Sequence, residues 1–315
     1  MRPAPHILVI NGTKVRRPVF VLGAPHSGTD LLARAIKQTA GFHLTVGRPG
    51  VLRVTYAFAR RPTIASERGR GAARVLRDAY AEAWQISPWG CAQCPAECRT
   101  LAGLPPAETA EDAVRSGQVC TEPGRVQRFA DASPDLIYSA DVLLDAFPDA
   151  QLLQVIRDGR DVVAGMLTDE RCLAWFKPGV ANLEEVFPNP FLGVEDFTDR
   201  SRWPKAAMAV KCALRWRGSV RLSARLRAQV PEDQLLTVRY EDLISRPGQV
   251  VETLSEYLGA PIPKNALTGL VRPGENGDGG VGAWRRRLTP KQLIQVERVA
   301  GKELQRLGYR LSGAA

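Results

Sequence analysis

The sequence predicts an α/β protein with a central parallel sheet, helices on both faces and an inserted cap region. Three apolar runs read as buried strands: Val19-Phe20-Val21-Leu22, Leu152-Leu153-Gln154-Val155-Ile156 and Leu235-Leu236-Thr237-Val238. Each is followed by a turn and then a helical pattern. Strands alternating with helices imply a parallel sheet covered on both faces.

The predicted helices, in order, are 29–39, 70–86, 136–147, 160–168, 205–228, 248–258 and 290–307. Pro148 and Asp149 stop the helix over 136–147 just before the second strand. Three stretches read as irregular. Residues 87–125 hold clustered cysteines among Pro, Gly and Ala. Residues 177–204 hold scattered prolines and aromatics, and residues 271–283 are Gly-rich. Long loops in an α/β core are usually lids or binding loops, and surface padding is the bland alternative. The expectation is one domain over 1–315, with 51–126 and 171–205 as a cap. No internal repeat or low-complexity tail is seen.

The chain has 315 residues, 44% hydrophobic and 24% charged, which is ordinary for a globular protein and excludes a largely disordered one. No apolar run approaches the ~20 residues of a membrane helix. The N-terminus lacks a signal-peptide core. The expectation is therefore a cytoplasmic protein with no membrane span. The formal net charge of +10 suits an anionic ligand. No helix-turn-helix, basic heptad or aromatic RNA-binding signature is present, so no nucleic-acid partner is expected. Arg215, Arg217, Arg221, Arg225 and Arg227 fall on one predicted helix beside Trp216. They read as a solvated basic face, with an acidic-acceptor site as the alternative. The aromatics of the cap either line an apolar pocket or pin the cap to the core, the second being the expectation for most. Nothing in the sequence indicates an oligomeric state.

Two strand-to-helix junctions carry chemistry. The first is Gly23-Ala24-Pro25-His26-Ser27-Gly28-Thr29. A glycine-containing turn there points backbone N–H groups into a concavity, and the helix N-terminus adds partial positive charge. The loop lacks the Lys of GxxxxGK[ST], which disfavours a nucleoside triphosphatase. The second is Arg157-Asp158-Gly159-Arg160-Asp161. Arg157 would emerge at the carboxyl end of the sheet, where open α/β folds bind ligands, and a guanidinium suits bidentate phosphate recognition. A surface ion-pair cluster is the competing reading of these charges.

These motifs, their order and their ~130-residue spacing resemble the sulfotransferases that use 3′-phosphoadenosine-5′-phosphosulfate (PAPS). GAPHSGT is similar to that family's 5′-phosphosulfate loop, and FPDAQLLQVIRDGRDVV to its 3′-phosphate motif. LLTVRYEDLISRP resembles its Tyr-Glu-Asp-Leu segment, and Gly282-Ala283-Trp284-Arg285 its Gly-x-Trp-Lys/Arg element. The likeness covers roughly 18–50, 127–170 and 206–310, and omits the cap. It implies a P-loop-like sheet and sulfuryl transfer to a hydroxyl or amine of a small-molecule or carbohydrate-like acceptor, leaving adenosine 3′,5′-bisphosphate. The donor would be held by Pro25, His26, Ser27, Gly28, Thr29 and Asp30 of the loop, by Arg157 and the Gly165 position, by Tyr240 near the adenine, and by Arg285 with Arg286. A kinase or hydrolase on the same strand-loop-helix, and a non-catalytic protein of the same fold, are the competing classes.

Three departures from the family pattern stand out. His26 replaces a Lys or Arg that contacts the leaving phosphate and the sulfuryl group. Imidazole is ordinarily mostly neutral at pH 7, but a nearby phosphosulfate favours its charged form. Asp30 replaces a Thr, and it is expected to point away or pair with Arg34 at i+4. Gly165 replaces a Ser that shares the 3′-phosphate, with Thr168 as a substitute donor. The family draws its base from different places. Here His43 and Asp131 are the candidates, each with an ordinary structural alternative. Finally, Cys91, Cys94, Cys98 and Cys120 have spacings that could hold Zn²⁺. A disulfide or free thiols compete with that, and any zinc would be structural.

Overall fold

The computed structural model describes residues 7–60, 70–94, 96–104, 109–181, 183, 187–267 and 280–313. An antiparallel hairpin, β1 (Val9–Ile10) and β2 (Thr13–Lys14), precedes the main sheet. That sheet has five strands: β3 (Val19–Gly23), β4 (Phe42–Thr45), β5 (Arg128–Asp131), β6 (Gln151–Ile156) and β7 (Leu235–Arg239). All are parallel, in the order β4-β5-β3-β6-β7. β3 pairs Phe20 with Leu152 on one side and with Asp131 on the other. The chain order reverses around β3, so the crevice at its carboxyl end is where such sheets place a ligand.

The alternation of β3 explains the layering. Val19 and Val21 pack with Leu32 and Ile36 of helix Thr29–Lys37 and with Val251 and Leu254 of helix Pro247–Leu258. Phe20 and Leu22 face the opposite core, built on helices Arg70–Ala83, Ala140–Ala146 and Met208–Gln229. Strands buried on both faces read as continuous apolar runs, which is why β3 and β6 are plain in the sequence. β4 and β5 are not. Their sequences, FHLT and RFAD, are short and partly polar, and they become strands by pairing with each other in parallel register.

Most predicted helices recur with ends moved by a few residues, as boundaries usually do. The stretch over 136–147 splits: Leu136–Ser139 is a 3-10 turn and Ala140–Ala146 is α-helix. Residues 87–125 are not uniformly irregular, since they include helices Pro88–Ala92, Ala96–Leu101 and Ala110–Arg115. Helix Phe197–Arg202 lies within 177–204. Of the Gly-rich stretch over 271–283, residues 271–279 lie outside the described residues. Among the described residues, no helix is long and apolar enough to cross a membrane.

Aromatics fasten part of 51–126 to the sheet and join it to 171–205. Tyr80 and Trp84 pack against Phe20 at ring distances of 5.2 and 6.0 Å. Trp175 lies 4.7 Å from Tyr56 and 5.2 Å from Phe191. Trp89 and Phe197 remain exposed, at 63% and 76%.

The basic helix corrects the sequence reading. It is not a solvated face over its first half. Arg215 and Arg217 are buried, at 0% and 8% exposed. Arg215 pairs with Asp135 at 2.8 Å and Arg217 pairs with Asp199. Arg221 is shared between Glu195 and Glu303. Only Arg225 and Arg227, beyond these, are exposed.

Candidate active site

The loop 24–28 leaves β3 and enters helix Thr29–Lys37. It closes tightly: the Ser27 amide donates to the Ala24 carbonyl at 3.1 Å. His26 and Gly28 both take left-handed backbone, with φ of 62° and 96°. Such turns aim successive N–H groups into one concavity, and here no side chain caps the helix that follows. Gly28 is required for a second reason. A Cβ there would lie 2.4 Å from the Tyr240 ring. Ser27 is 1% exposed and its Oγ has no hydrogen-bond partner. A buried orphan hydroxyl at the mouth of an N–H concavity is an anion donor in waiting.

Arg157 follows β6 directly and joins the two motifs. Its Nη1 donates to the His26 carbonyl at 3.0 Å and its Nη2 to the Gly280 carbonyl at 3.1 Å. The guanidinium stacks 3.9 Å above the Tyr240 ring. Tyr240 begins the turn of helix after β7. The carboxyl ends of three adjacent strands thus deliver a loop, a cation and an aromatic to one place.

The charges after Arg157 are interior, contrary to the surface-cluster alternative. Asp158, Arg160 and Asp161 are all buried. Arg160 is held by Asp158 at 2.7 Å and Glu297 at 2.9 Å. Asp161 accepts from the Gly282 and Trp284 amides, both at 2.8 Å. Burial pushes its carboxyl up from the ordinary value. Trp284 lies under Arg160 and beside Arg285, with guanidinium distances of 4.1 and 4.5 Å. Asp161 therefore ties the Gly-x-Trp-Arg element to the same crevice, while Arg285 and Arg286 stay exposed. Glu241 braces the junction, accepting from the Asp158 amide at 3.1 Å and from Tyr309 Oη at 3.0 Å.

Asp30 is exposed in the first turn of its helix and, among the described residues, forms no ion pair with Arg34. Pro25 is half-buried. Gly165 takes on a meaning beyond a missing hydroxyl: a Cβ there would sit 2.7 Å from His26 Cγ. The hydroxyl of Thr168 donates to the Gly165 carbonyl at 3.0 Å and accepts from Arg287 at 3.0 Å. It is already engaged. The sequence also overlooked Asp169, whose Oδ2 lies 3.1 Å from His26 Nε2.

Neither candidate base is open to an acceptor. His43 is 0% exposed on β4, and burial lowers its imidazole to about 3. Asp131 is 0% exposed at the end of β5. It accepts from Thr45 Oγ1 at 2.6 Å, the Ser133 amide at 2.8 Å and Tyr80 Oη at 3.2 Å. These bonds make it a brace between strand ends and helix Arg70–Ala83. Burial raises its carboxyl to about 6 against those hydrogen bonds. The folded state then binds a proton that the unfolded chain has already lost. Stability contributed by this group is full below ~4 and falls as pH rises through 6. Asp131→Asn should remove that slope, so urea midpoints of the two proteins should diverge between pH 4 and 6. Parallel curves would remove the assignment.

The cysteines are placed in part. Cys91 and Cys94 are buried, and the Cys120 amide donates to Cys91 Sγ at 3.4 Å. A hydrogen bond from Cys120 lowers the Cys91 thiol to about 6. Cys120 Sγ also lies 3.7 Å from His43 Nδ1. The side chain of Cys98 lies outside the described residues. Of the four cysteines, the described residues thus place Cys91, Cys94 and Cys120.

The chain is similar to several known proteins. Among solved structures, the sulfotransferase domain of the Synechococcus PCC 7002 olefin synthase aligns with a TM-score of 0.49 and 16% identity, covering 98% of both chains. Sulfotransferase STF9 from Mycobacterium avium aligns at 0.47 and 16%, covering 95% of this chain and 79% of that one. Mouse sulfotransferase SULT7A1, complexed with PAP, aligns at 0.45 and 12%, covering 94% and 87%. No curated protein matches the chain. The sequence itself matches the sulfotransferase family over residues 18–186 and 193–264. That match spans well over half of the chain, including β3 to β7 and the loops that follow β3, β6 and β7, and the protein belongs to the sulfotransferase family.

Proposed function

We propose that this protein transfers the sulfuryl group of PAPS to a hydroxyl or amine of a small-molecule or carbohydrate-like acceptor. One observation carries the proposal: Arg157 binds the loop carbonyl of His26 while stacking on Tyr240, which itself packs on Gly28. Two motifs distant in sequence thereby form one anion site. The residues suit such a donor. Ser27 offers a buried orphan hydroxyl, and the loop amides and Thr29 stand at a helix N-terminus.

In this reading Ser27, Gly28 and Thr29 hold the 5′-phosphosulfate, and Arg157 takes the 3′-phosphate. Tyr240 orients the adenine side. Arg285 and Arg286, exposed beside Trp284, screen the phosphates from solvent. When bound, the donor supplies an activated sulfuryl group. The chain's own contribution is position and charge: fixed N–H groups and cations stabilise negative charge that grows on the leaving phosphate. His26, at the loop's turn, faces the transferring group. The cap over 51–126 and 171–205 forms the acceptor side.

The first test is thermal stability with adenosine 3′,5′-bisphosphate, and separately with ATP plus Mg²⁺. A ligand at ~100 times its Kd stabilises the folded state by ~2.7 kcal/mol. The expected result is a rise in Tm with the bisphosphate that disappears in Arg157→Ala. A larger rise with ATP would overturn the donor assignment in favour of a kinase or hydrolase. Bisphosphate binding without turnover across a broad acceptor panel would point to a non-catalytic protein.

A further inference from the structure

His26 stands out within the loop. It is a non-glycine residue in left-handed backbone, with φ of 62°, a conformation that persists where surroundings over-determine it. Three features do so. Gly165 presents no Cβ, and the imidazole occupies that space, with Nδ1 2.9 Å from where the atom would be. Arg157 holds the His26 carbonyl. Asp169 Oδ2 receives Nε2 at 3.1 Å.

Asp169 is itself fixed. It caps helix Glu170–Ala174, with Oδ1 accepting from the Arg171 amide at 2.9 Å. Its Oδ2 also accepts from Cys172 Sγ at 3.3 Å. The carboxylate cannot swing without losing both bonds. Burial pushes its carboxyl up, but the bonds from Cys172, Arg171 and His26 outweigh this and leave it below the ordinary value. Among the described residues, the following titratable and charged groups face the pair. Cys172 lies beneath it, the guanidinium of Arg171 is 3.6 Å from Oδ1, and Arg157 touches the His26 backbone. Arg287 lies on the adjacent Thr168.

His26, Asp169 and Cys172 lie within 4.8 Å of one another and could together hold a metal ion. Burial raises the Cys172 thiol to about 12, however. In this structure the thiol donates to the Asp169 carboxylate at 3.3 Å, so the three groups form a hydrogen-bond chain.

We infer that Asp169 is a positioning residue: it binds Nε2–H of His26, fixes the ring in the space that Gly165 leaves, and supports the imidazolium so that the loop presents a cation without a Lys or Arg. The pair works as carboxylate–histidine pairs do elsewhere, fixing ring orientation and the protonated nitrogen. The inference rests on the PAPS reading of this site.

The test uses Asp169→Asn, which retains a good helix cap. Ring ¹⁵N spectra of the free protein come first; the chain has only three histidines, so His26 is assignable with a His26→Gln control. The wild type should show Nε2 protonated at neutral pH, and Asp169→Asn a mixture of tautomers. Release of adenosine 3′,5′-bisphosphate from PAPS comes second. In Asp169→Asn it should fall about tenfold at pH 8 and decline with pH earlier than in wild type. Asp169→Glu should recover part of the loss. The thermal shift with the bisphosphate should persist, separating this effect from donor binding. An unchanged ring spectrum would overturn the inference, as would a changed spectrum with an unchanged pH profile. Loss of the bisphosphate shift in wild type would instead sink the donor reading, and the ring spectrum would still decide whether Asp169 sets the imidazole.

Discussion

Arg215→Ala is expected to lower stability by about 3–5 kcal/mol, the usual loss when one partner of a buried ion pair is removed. Arg215 is 0% exposed at the middle of the long helix Met208–Gln229. Its Nη2 meets Asp135 Oδ2 at 2.8 Å, and its guanidinium lies 4.3 Å above the Phe191 ring. Tyr138 Oη donates to the Arg215 carbonyl at 3.0 Å. Truncation leaves the Asp135 carboxylate buried and uncompensated, at 5% exposed and with a left-handed backbone φ of 64°. It also removes the guanidinium that packs over Phe191 and, at 5.9 Å, over Tyr138. The two sources of loss are separable. Asp135→Asn should cost a similar amount by stranding the guanidinium. The double variant Arg215→Ala, Asp135→Asn should cost clearly less than the two singles together, because no unpaired charge remains. Urea midpoints measure all of these. Full additivity would show that packing, not charge pairing, holds this helix to the Asp135 turn.

This pair also shows what the sequence could and could not reveal. β3, β6 and β7 announce themselves because strands buried on both faces are locally apolar. The loops after β3 and β6 are legible because glycine and arginine at such junctions have a local geometric cause. The burial of Arg215 has no local cause. Its partner Asp135 is 80 residues away, and the partner of Arg221 in Glu303 is 82 away. A run of arginines on one helix therefore looks solvated until tertiary packing supplies the acids. Asp169 escaped notice for the same reason, lying 143 residues from His26. β4 and β5 were hidden because four-residue strands with polar positions gain their character from each other. His43 and Asp131 were singled out as rare or well-placed residue types, but residue type says nothing of access, and both prove enclosed.

Gly165→Ser is expected to reduce sulfuryl transfer by about 100-fold, the scale of loss when a reacting group is displaced by an ångström. Judged by the family pattern alone, serine should help, since it restores a donor for the 3′-phosphate. The geometry argues the reverse. The added Cβ would stand 2.7 Å from His26 Cγ and 2.9 Å from its Cβ and Nδ1. Gly165 belongs to helix Gly159–Met166, which is buried throughout and held at its start by Asp158 and Asp161. The helix cannot retreat, so the imidazole must. Rotation takes Nε2 away from Asp169 and disturbs the carbonyl that Arg157 holds. The glycine and the histidine thus act together: the helix presents no Cβ at 165, and the imidazole is seated in that space. Lys keeps the Cβ and Cγ that meet the added atom, so His26→Lys in the Gly165→Ser background should recover activity only as far as the loop shifts, and the cycle measures that coupling. Release of adenosine 3′,5′-bisphosphate from PAPS measures the cycle, and melting curves confirm that each variant folds. Full activity in Gly165→Ser would mean that the imidazole need not occupy this space, and would separate the two departures.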